Sequence, residues 1–171
     1  MVSSYDGTKL RFRKDIVQDP RALIVISHGL CEHLNRYDYF TEKLNENGYS
    51  VYRYDQRGHG KSEGKKVYFS HYDEMPDDLD MIVDIAQNES NGKKVFLFGH
   101  SMGGETVALY GTKNPGKADG IITSGALTRY YNPIMGDQFP IAAPAGTYVP
   151  NALGNGVCSD IRVIEAYAND P

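Results

Sequence analysis

An α/β fold, with a mainly parallel sheet and helices on both faces, is what this sequence predicts. Two observations carry that reading. Short apolar runs alternate with amphipathic stretches from Ala22 to Ser124, and such alternation implies right-handed crossovers between parallel strands. Three Gly/His-rich segments, beginning at His28, Asp55 and Gly99, each follow directly on one of those runs. In a doubly wound sheet the strand C-termini form the ligand edge, so the three segments converge on one place.

Taken in order, Asp6-Gly7 is a turn signal, and Lys9–Arg13 alternates with the period of a half-buried strand. Asp19-Pro20 breaks the chain. Ala22–Ile26 is a continuous apolar run, β-branched and too short for a helix, hence a central strand. Tyr37, Phe40 and Leu44 then fall on one helical face, and Gly48 closes a helix over 34–47. Tyr49–Tyr54 is the next strand. Pro76, Asp77 and Asp78 open a second helix in the order its dipole prefers, with Leu79, Ile82, Val83 and Ala86 as its apolar stripe. Val95–Phe98 is a buried strand, a helix runs from Ser101 to about Lys113, and 120–124 is a further short strand. The core of the fold is expected over 1–125. From Ala126 to Pro171 proline and glycine crowd the chain, and only 159–168 reads as helical. This second segment, 126–171, is expected to be the irregular start of a cap.

Length and composition narrow the function. A chain of 171 residues, 40% of them hydrophobic, can bury one real core. A formal charge of −4 gives no electrostatic reason to expect nucleic acid. No apolar stretch approaches the ~20 residues of a membrane span, and the N-terminus lacks the basic-then-apolar order of a signal peptide. Cys31 and Cys158 make neither a disulfide framework nor a metal site. The expectation is a soluble cytoplasmic protein with free thiols. No Cys/His spacing and no G-x-G-x-x-G sequence suggests a metal or a cofactor.

The chemistry centres on Gly99-His100-Ser101-Met102-Gly103, which matches G-x-S-x-G, the nucleophile elbow. A strand turning sharply into a helix holds the serine in a strained conformation, and bulky residues two positions either side would clash. Gly99 and Gly103 remove those side chains. The competing reading is a glycine-rich turn whose serine merely caps the helix. The apolar run before the motif and the helical pattern after it favour the elbow.

The sequence resembles the monoacylglycerol lipase and lysophospholipase branch of the α/β-hydrolases. The resemblance rests on His28-Gly29-Leu30-Cys31-Glu32-His33 with Arg36-Tyr37, on Asp55-Gln56-Arg57-Gly58-His59-Gly60-Lys61-Ser62, and on Gly99–Gly104. Ser159-Asp160 and Tyr167–Pro171 also look like that branch's cap. The resemblance implies an α/β-hydrolase fold lacking the C-terminal strands, and Ser101 as acyl nucleophile. It implies an oxyanion hole from the backbone N–H groups of Leu30 and Met102, supported by His28, Gly29, Gly99, His100 and Gly103. The Met102 donor also follows from position, since the residue after the nucleophile starts a helix with a free N–H. The implied substrate is a small acyl ester or a lipid-like molecule.

The departure from that family is equally informative. The order there is nucleophile, acid, histidine, yet all five histidines of this chain, His28, His33, His59, His71 and His100, precede or adjoin the elbow on its N-terminal side. His28 and His33 are expected to orient or pack the loop that carries Leu30, His59 to make a structural hydrogen bond, and His71 to be solvated. His100 should leave the elbow in another direction. Among the carboxylates, Asp119 lies at the wrong strand end, and Asp137 and Asp160 fall in the cap-like tail. Asp55 should bond Arg57 or nearby amides, and Glu32 should brace its own loop.

Two readings follow. One is a serine ester hydrolase acting through Ser101, with acid and base supplied by residues absent from this chain. The other is an inert truncated fragment or an interaction module that keeps the fold. Peptide-bond hydrolysis at proline-like N-termini shares these motifs; an aspartate-nucleophile dehalogenase does not, because the elbow residue is Ser101. Tyr130, Tyr131, Ile134, Met135 and Phe139 are candidate pocket or packing residues. The strand over 121–124 is expected to leave a bare sheet edge, open to self-association or to a complementary C-terminal fragment.

Overall fold

The structure is a computed structural model and describes residues 1–126, 147–148 and 158–170. The chain forms two units, Met1–Tyr130 and Tyr131–Pro171. In the first, strands β1 (Val2–Ser3) and β2 (Lys9–Leu10) make an antiparallel ribbon. A five-stranded sheet follows, built from β3 (Phe12–Asp15), β4 (Ala22–Ser27), β5 (Tyr49–Tyr54), β6 (Val95–His100) and β7 (Gly120–Ser124), in the order β3-β5-β4-β6-β7. Only β3 is antiparallel to its neighbour; the other pairings are parallel.

The unbroken apolar run of β4 is explained by burial on both faces. Leu23 and Val25 point into a core shared with Leu79, Ile82 and Val83 of α2 (Glu74–Glu89) and Val107 and Tyr110 of α3 (Met102–Lys113). Ile24 and Ile26 point the other way, into a smaller cluster with Tyr37 and Val51, against which Leu44 of α1 (Asp38–Glu46) packs. Helices therefore cover both faces, as the alternation predicts.

The departures are local. The stretch expected as a helix over 34–47 begins as a 3-10 turn, Leu34–Tyr37, capped by His33, before α1 starts. α2 begins at Glu74, so Pro76 sits inside its first turn, where no backbone N–H is required. The strand expected over Lys9–Arg13 is divided at Arg11. The Arg11 N–H donates to Ser62 Oγ at 2.8 Å and the Lys9 N–H to Glu63 Oε2 at 2.9 Å, so the side chains of Ser62 and Glu63 take up backbone donors at the break.

At the other border β7 pairs with β6, and no further strand adjoins it among the described residues. Ile121 and Ile122 are 40% and 49% exposed. In the second unit, α4 (Ile161–Ala168) is capped by Asp160, whose carboxylate accepts the Arg162 N–H at 3.0 Å. Tyr130, Tyr131, Ile134, Met135, Asp137 and Phe139, and most of the proline- and glycine-rich stretch, lie outside the described residues. No helix of the described residues is long and apolar enough to cross a membrane.

Candidate active site

β6 passes into α3 through a single residue. Ser101 has φ 52° and ψ −119°, a region that L-residues adopt only where their surroundings enforce it. The enforcement is visible. A Cβ on Gly99 would stand 2.1 Å from the Gly103 carbonyl oxygen, and one on Gly103 would stand 2.0 Å from that of Ser27. Only hydrogen fits at either position. The Ser101 N–H donates to the Ser124 carbonyl at 2.9 Å, and its own carbonyl accepts the Glu105 N–H at 3.1 Å. The turn is thus pinned from β7 on one side and α3 on the other. Met102, as first residue of α3, presents an N–H with no acceptor inside the helix, at the positive end of the helix dipole.

β4 delivers the second segment beside this turn. A Cβ built on Gly29 would lie 3.3 Å from Ser101 Cβ, so the loop passes directly against the serine, and Leu30 follows, 38% exposed. Cys31 bends the loop with φ 55°, and burial pushes its thiol above the usual range. Glu32 does brace its own loop: one carboxylate oxygen accepts both the Gly29 N–H and the Tyr37 hydroxyl, each at 2.8 Å.

The histidines are committed elsewhere. His28 is fully buried; its Nε2 accepts the Gln56 N–H at 2.9 Å, so Nδ1 carries the proton and donates to the Gly29 carbonyl at 2.8 Å. Burial holds this imidazole neutral, its pKa pushed down to about 4. His59 Nδ1 donates to the Arg57 carbonyl at 3.0 Å, its ring edges onto His28 at 5.3 Å between centroids, and desolvation lowers its pKa also. Its Nε2 is buried without a hydrogen-bond partner among the described residues. His100 turns away and donates to the Ser124 carbonyl at 3.0 Å. His33 caps the 3-10 turn, and the half-exposed His71 stacks on Tyr72.

Of the two kinds of partner expected for Asp55, Arg57 or nearby amides, the structure has the amides. The two Asp55 oxygens accept the N–H groups of Leu34 at 2.7 Å and Lys61 at 2.8 Å, which ties this turn to the one after β4. Arg57 instead reaches α2 and grips Asp78 through Nε and Nη2, both at 2.7 Å. The reason is geometric: Asp55 lies beneath the turn, where a Cβ on Gly60 would stand 2.3 Å from its oxygen. Sequence reasoning also missed Gln56 and Thr106, which link the two segments beside Ser101. A polar residue locked between Asp55 and Arg57 was the available signal for the first; a threonine inside a buried helix face was that for the second.

An open cavity of about 390 Å³ lies next to the elbow, lined by Glu32, Arg36, Tyr37, Phe40, Phe98 and His100. Its lining is mixed: the Phe40 and Phe98 rings stand 5.0 Å apart, and the Glu32 carboxylate and Arg36 guanidinium pair at 3.8 Å. Among the described residues no group of three or more His, Cys, Asp or Glu is placed to hold a metal ion.

The Hydrolase_4 family model, described as serine aminopeptidase, S33, matches residues 18–171. The chain belongs to this family of α/β-hydrolases. Within it, the chain is 33% identical over 158 residues to a monoacylglycerol lipase of Mycolicibacterium smegmatis, covering 90% of this chain and 56% of that protein. It is 36% identical over 159 residues to human monoglyceride lipase, covering 89% and 52%. The crystal structure of Paleococcus ferrophilus monoacylglycerol lipase matches with a TM-score of 0.70 and 31% identity, over 95% of this chain and 63% of that one. This Hydrolase_4 chain therefore spans about half the length of the curated relatives it matches.

Proposed function

We propose that the chain carries the nucleophile and oxyanion side of a serine carboxylic ester hydrolase of the monoacylglycerol lipase and lysophospholipase type. The observation that carries this reading is the conformation of Ser101, held at φ 52° and ψ −119° between a buried strand and a helix N-terminus. Such strain is retained where it aims a side chain, and a helix cap does not require it. The mechanism is acyl transfer from a small acyl ester to Ser101 Oγ, followed by hydrolysis of the acyl-enzyme. Charge developing on the carbonyl oxygen is met by the N–H groups of Leu30 and Met102; loss of one such donor costs roughly 10²–10³ in rate. The cavity beside Phe40 and Phe98 supports an ester with an apolar acyl chain. Its lining also carries Glu32, Arg36 and His100, polar groups that suit the alcohol part.

The general base and its acid are assigned to residues outside this sequence, because the family order is nucleophile, acid, histidine and no histidine follows Ser101 here. Loss of a triad base costs on the order of 10⁶ in turnover, so the chain by itself is expected to turn over almost nothing. We assign the segment from Ala126 to the start of a cap and the protein to the cytoplasm, with Cys31 and Cys158 as free thiols. The side of β7 that no strand adjoins among the described residues is assigned to pairing with a complementary segment or a second copy.

Covalent labelling of the chain with a fluorophosphonate, read by mass spectrometry against Ser101→Ala, tests the reading. Slow adduct formation at Ser101, accelerated by a polypeptide that supplies a late acid and histidine, is the expected result. No adduct under either condition would point to a non-catalytic module.

A further inference from the structure

Gln56 follows β5 directly and is 1% exposed. Its backbone N–H donates to His28 Nε2 at 2.9 Å and its side-chain amide donates to the His28 carbonyl at 2.5 Å. Its Oε1 lies 3.3 Å from the Thr106 hydroxyl. The amide can sit only one way round, since a flipped Gln56 would set Oε1 against the His28 carbonyl oxygen. Oε1 then needs a donor, and the fully buried Thr106 is that donor. The single hydroxyl proton of Thr106 is divided between Oε1 and the Met102 carbonyl at 3.0 Å. Hydrogen bonds therefore run from His28, two residues before Leu30, through Gln56 to Thr106, whose one proton serves either Gln56 or the Met102 carbonyl at a time.

We propose that Gln56 is the positioning residue of the oxyanion pocket, with Thr106 as its anchor in α3. This inference rests on Leu30 and Met102 being the two oxyanion donors. Direct packing already fixes how closely the two segments approach: a Cβ on Gly103 would stand 2.5 Å from the His28 oxygen. Packing of that kind limits distance but leaves the rotation of a peptide plane open. Hydrogen bonds are directional and weaken steeply when bent, and a catalytic constellation must hold within about 0.5 Å of its productive geometry. Gln56 supplies that direction. It holds His28 by ring and carbonyl at once, fixes the tautomer in which Nδ1 donates to the Gly29 carbonyl, and so orients the peptide that carries the Leu30 N–H, with Thr106 of α3 as its anchor. The bland role for the same residue is to satisfy buried polar atoms, and the two roles separate experimentally.

Thr106→Val keeps the shape of the side chain and removes the donor. In the ¹⁵N-labelled chain the expected result is a shift of the Leu30 and Met102 amide resonances and of the His28 imidazole nitrogens, with Thr106→Ser restoring all three. Leu30 is the decisive resonance, because the hydrogen bonds of Thr106 run to Gln56, Met75 and Met102. Tyr110→Phe is the control: it removes a buried hydroxyl from the same helix, bonded to Asp80 at 2.8 Å, and should lower stability while leaving Leu30 in place. Gln56→Met provides a second route to the same displacement. Leu30 unmoved in Thr106→Val and in Gln56→Met, with stability reduced, would overturn the proposal. Fluorophosphonate labelling of Ser101 should slow by about tenfold or more in Thr106→Val and not in Tyr110→Phe. A wild-type chain that never labels overturns the hydrolase reading and leaves the resonance test standing.

Discussion

Ser101 occupies a conformation that works against stability. A side chain at φ 52° and ψ −119° costs about 1–3 kcal/mol, which glycine does not incur. Ser101→Gly should therefore raise the urea midpoint while abolishing adduct formation; an unchanged or lower midpoint would mean the turn is not strained. Gly103→Ala should act in the opposite sense, because its Cβ would meet backbone at 2.0 Å. A loss of about 3 kcal/mol or more, or failure to fold, is expected from such overpacking. His28 makes stability depend on pH. Its folded pKa is lowered from 6.5 to about 4, so the unfolded chain binds the proton more readily. The contribution, about 3 kcal/mol, is complete above pH 6.5 and is lost as pH falls towards 4. Desolvation dominates; the hydrogen bond to the Gly29 carbonyl and the charges of Asp55 and Glu32 only partly offset it, and His59 adds to it. An imidazole resonance of folded His28 that titrated near pH 6.5 would refute this. The elbow was legible because glycine spacing encodes clearance directly. Gln56 was not, since its role depends on two partners 28 and 50 positions away.

At the scale of elements, the residue pattern predicted β4, β5, β6 and β7 and four helices, because burial on one or two faces of the core elements writes itself into that pattern. What it did not convey is how charged side chains join one element to another. Arg57 is the main example. It bonds Asp78 of α2 twice and pairs with Asp6 at 2.9 Å and Glu74 at 3.1 Å, while Ser4 also donates to Asp78. One guanidinium thus fastens the β1–β2 ribbon and the loop after β5 to the start of α2. Removing it leaves a buried carboxylate without a counter-charge, which costs about 3–5 kcal/mol. Arg57→Met should show that loss in chemical denaturation, largely relieved by adding Asp78→Asn. A double variant no more stable than the single one would show that the charge on Asp78 is not the source. Arg53, equally buried, binds Asp15 and Asp38 at 2.7 and 2.6 Å; within an aromatic, alternating strand it carried no sign of that role.

For the molecule as a whole, the two sheet borders differ. β3 closes one border antiparallel and largely charged, whereas β7 presents Ile121 and Ile122 at the other. Ile122→Lys should change folding stability by less than about 1 kcal/mol, as a half-exposed site, and should reduce any concentration-dependent association seen by sedimentation. Association that is unaffected would place the contact elsewhere. The family was legible from three motifs, because each is a turn at the end of a parallel strand and such turns tolerate few residues. The strand order β3-β5-β4-β6-β7 has a consequence for biosynthesis. After β4 and β5 have formed the centre, β6 adds to the free side of β4, and β7 adds to β6. Assembly on the ribosome can therefore keep pace with translation at roughly 5–20 residues per second, each new strand docking on a border already exposed, with the serine turn complete as soon as Ser124 emerges to receive its amide.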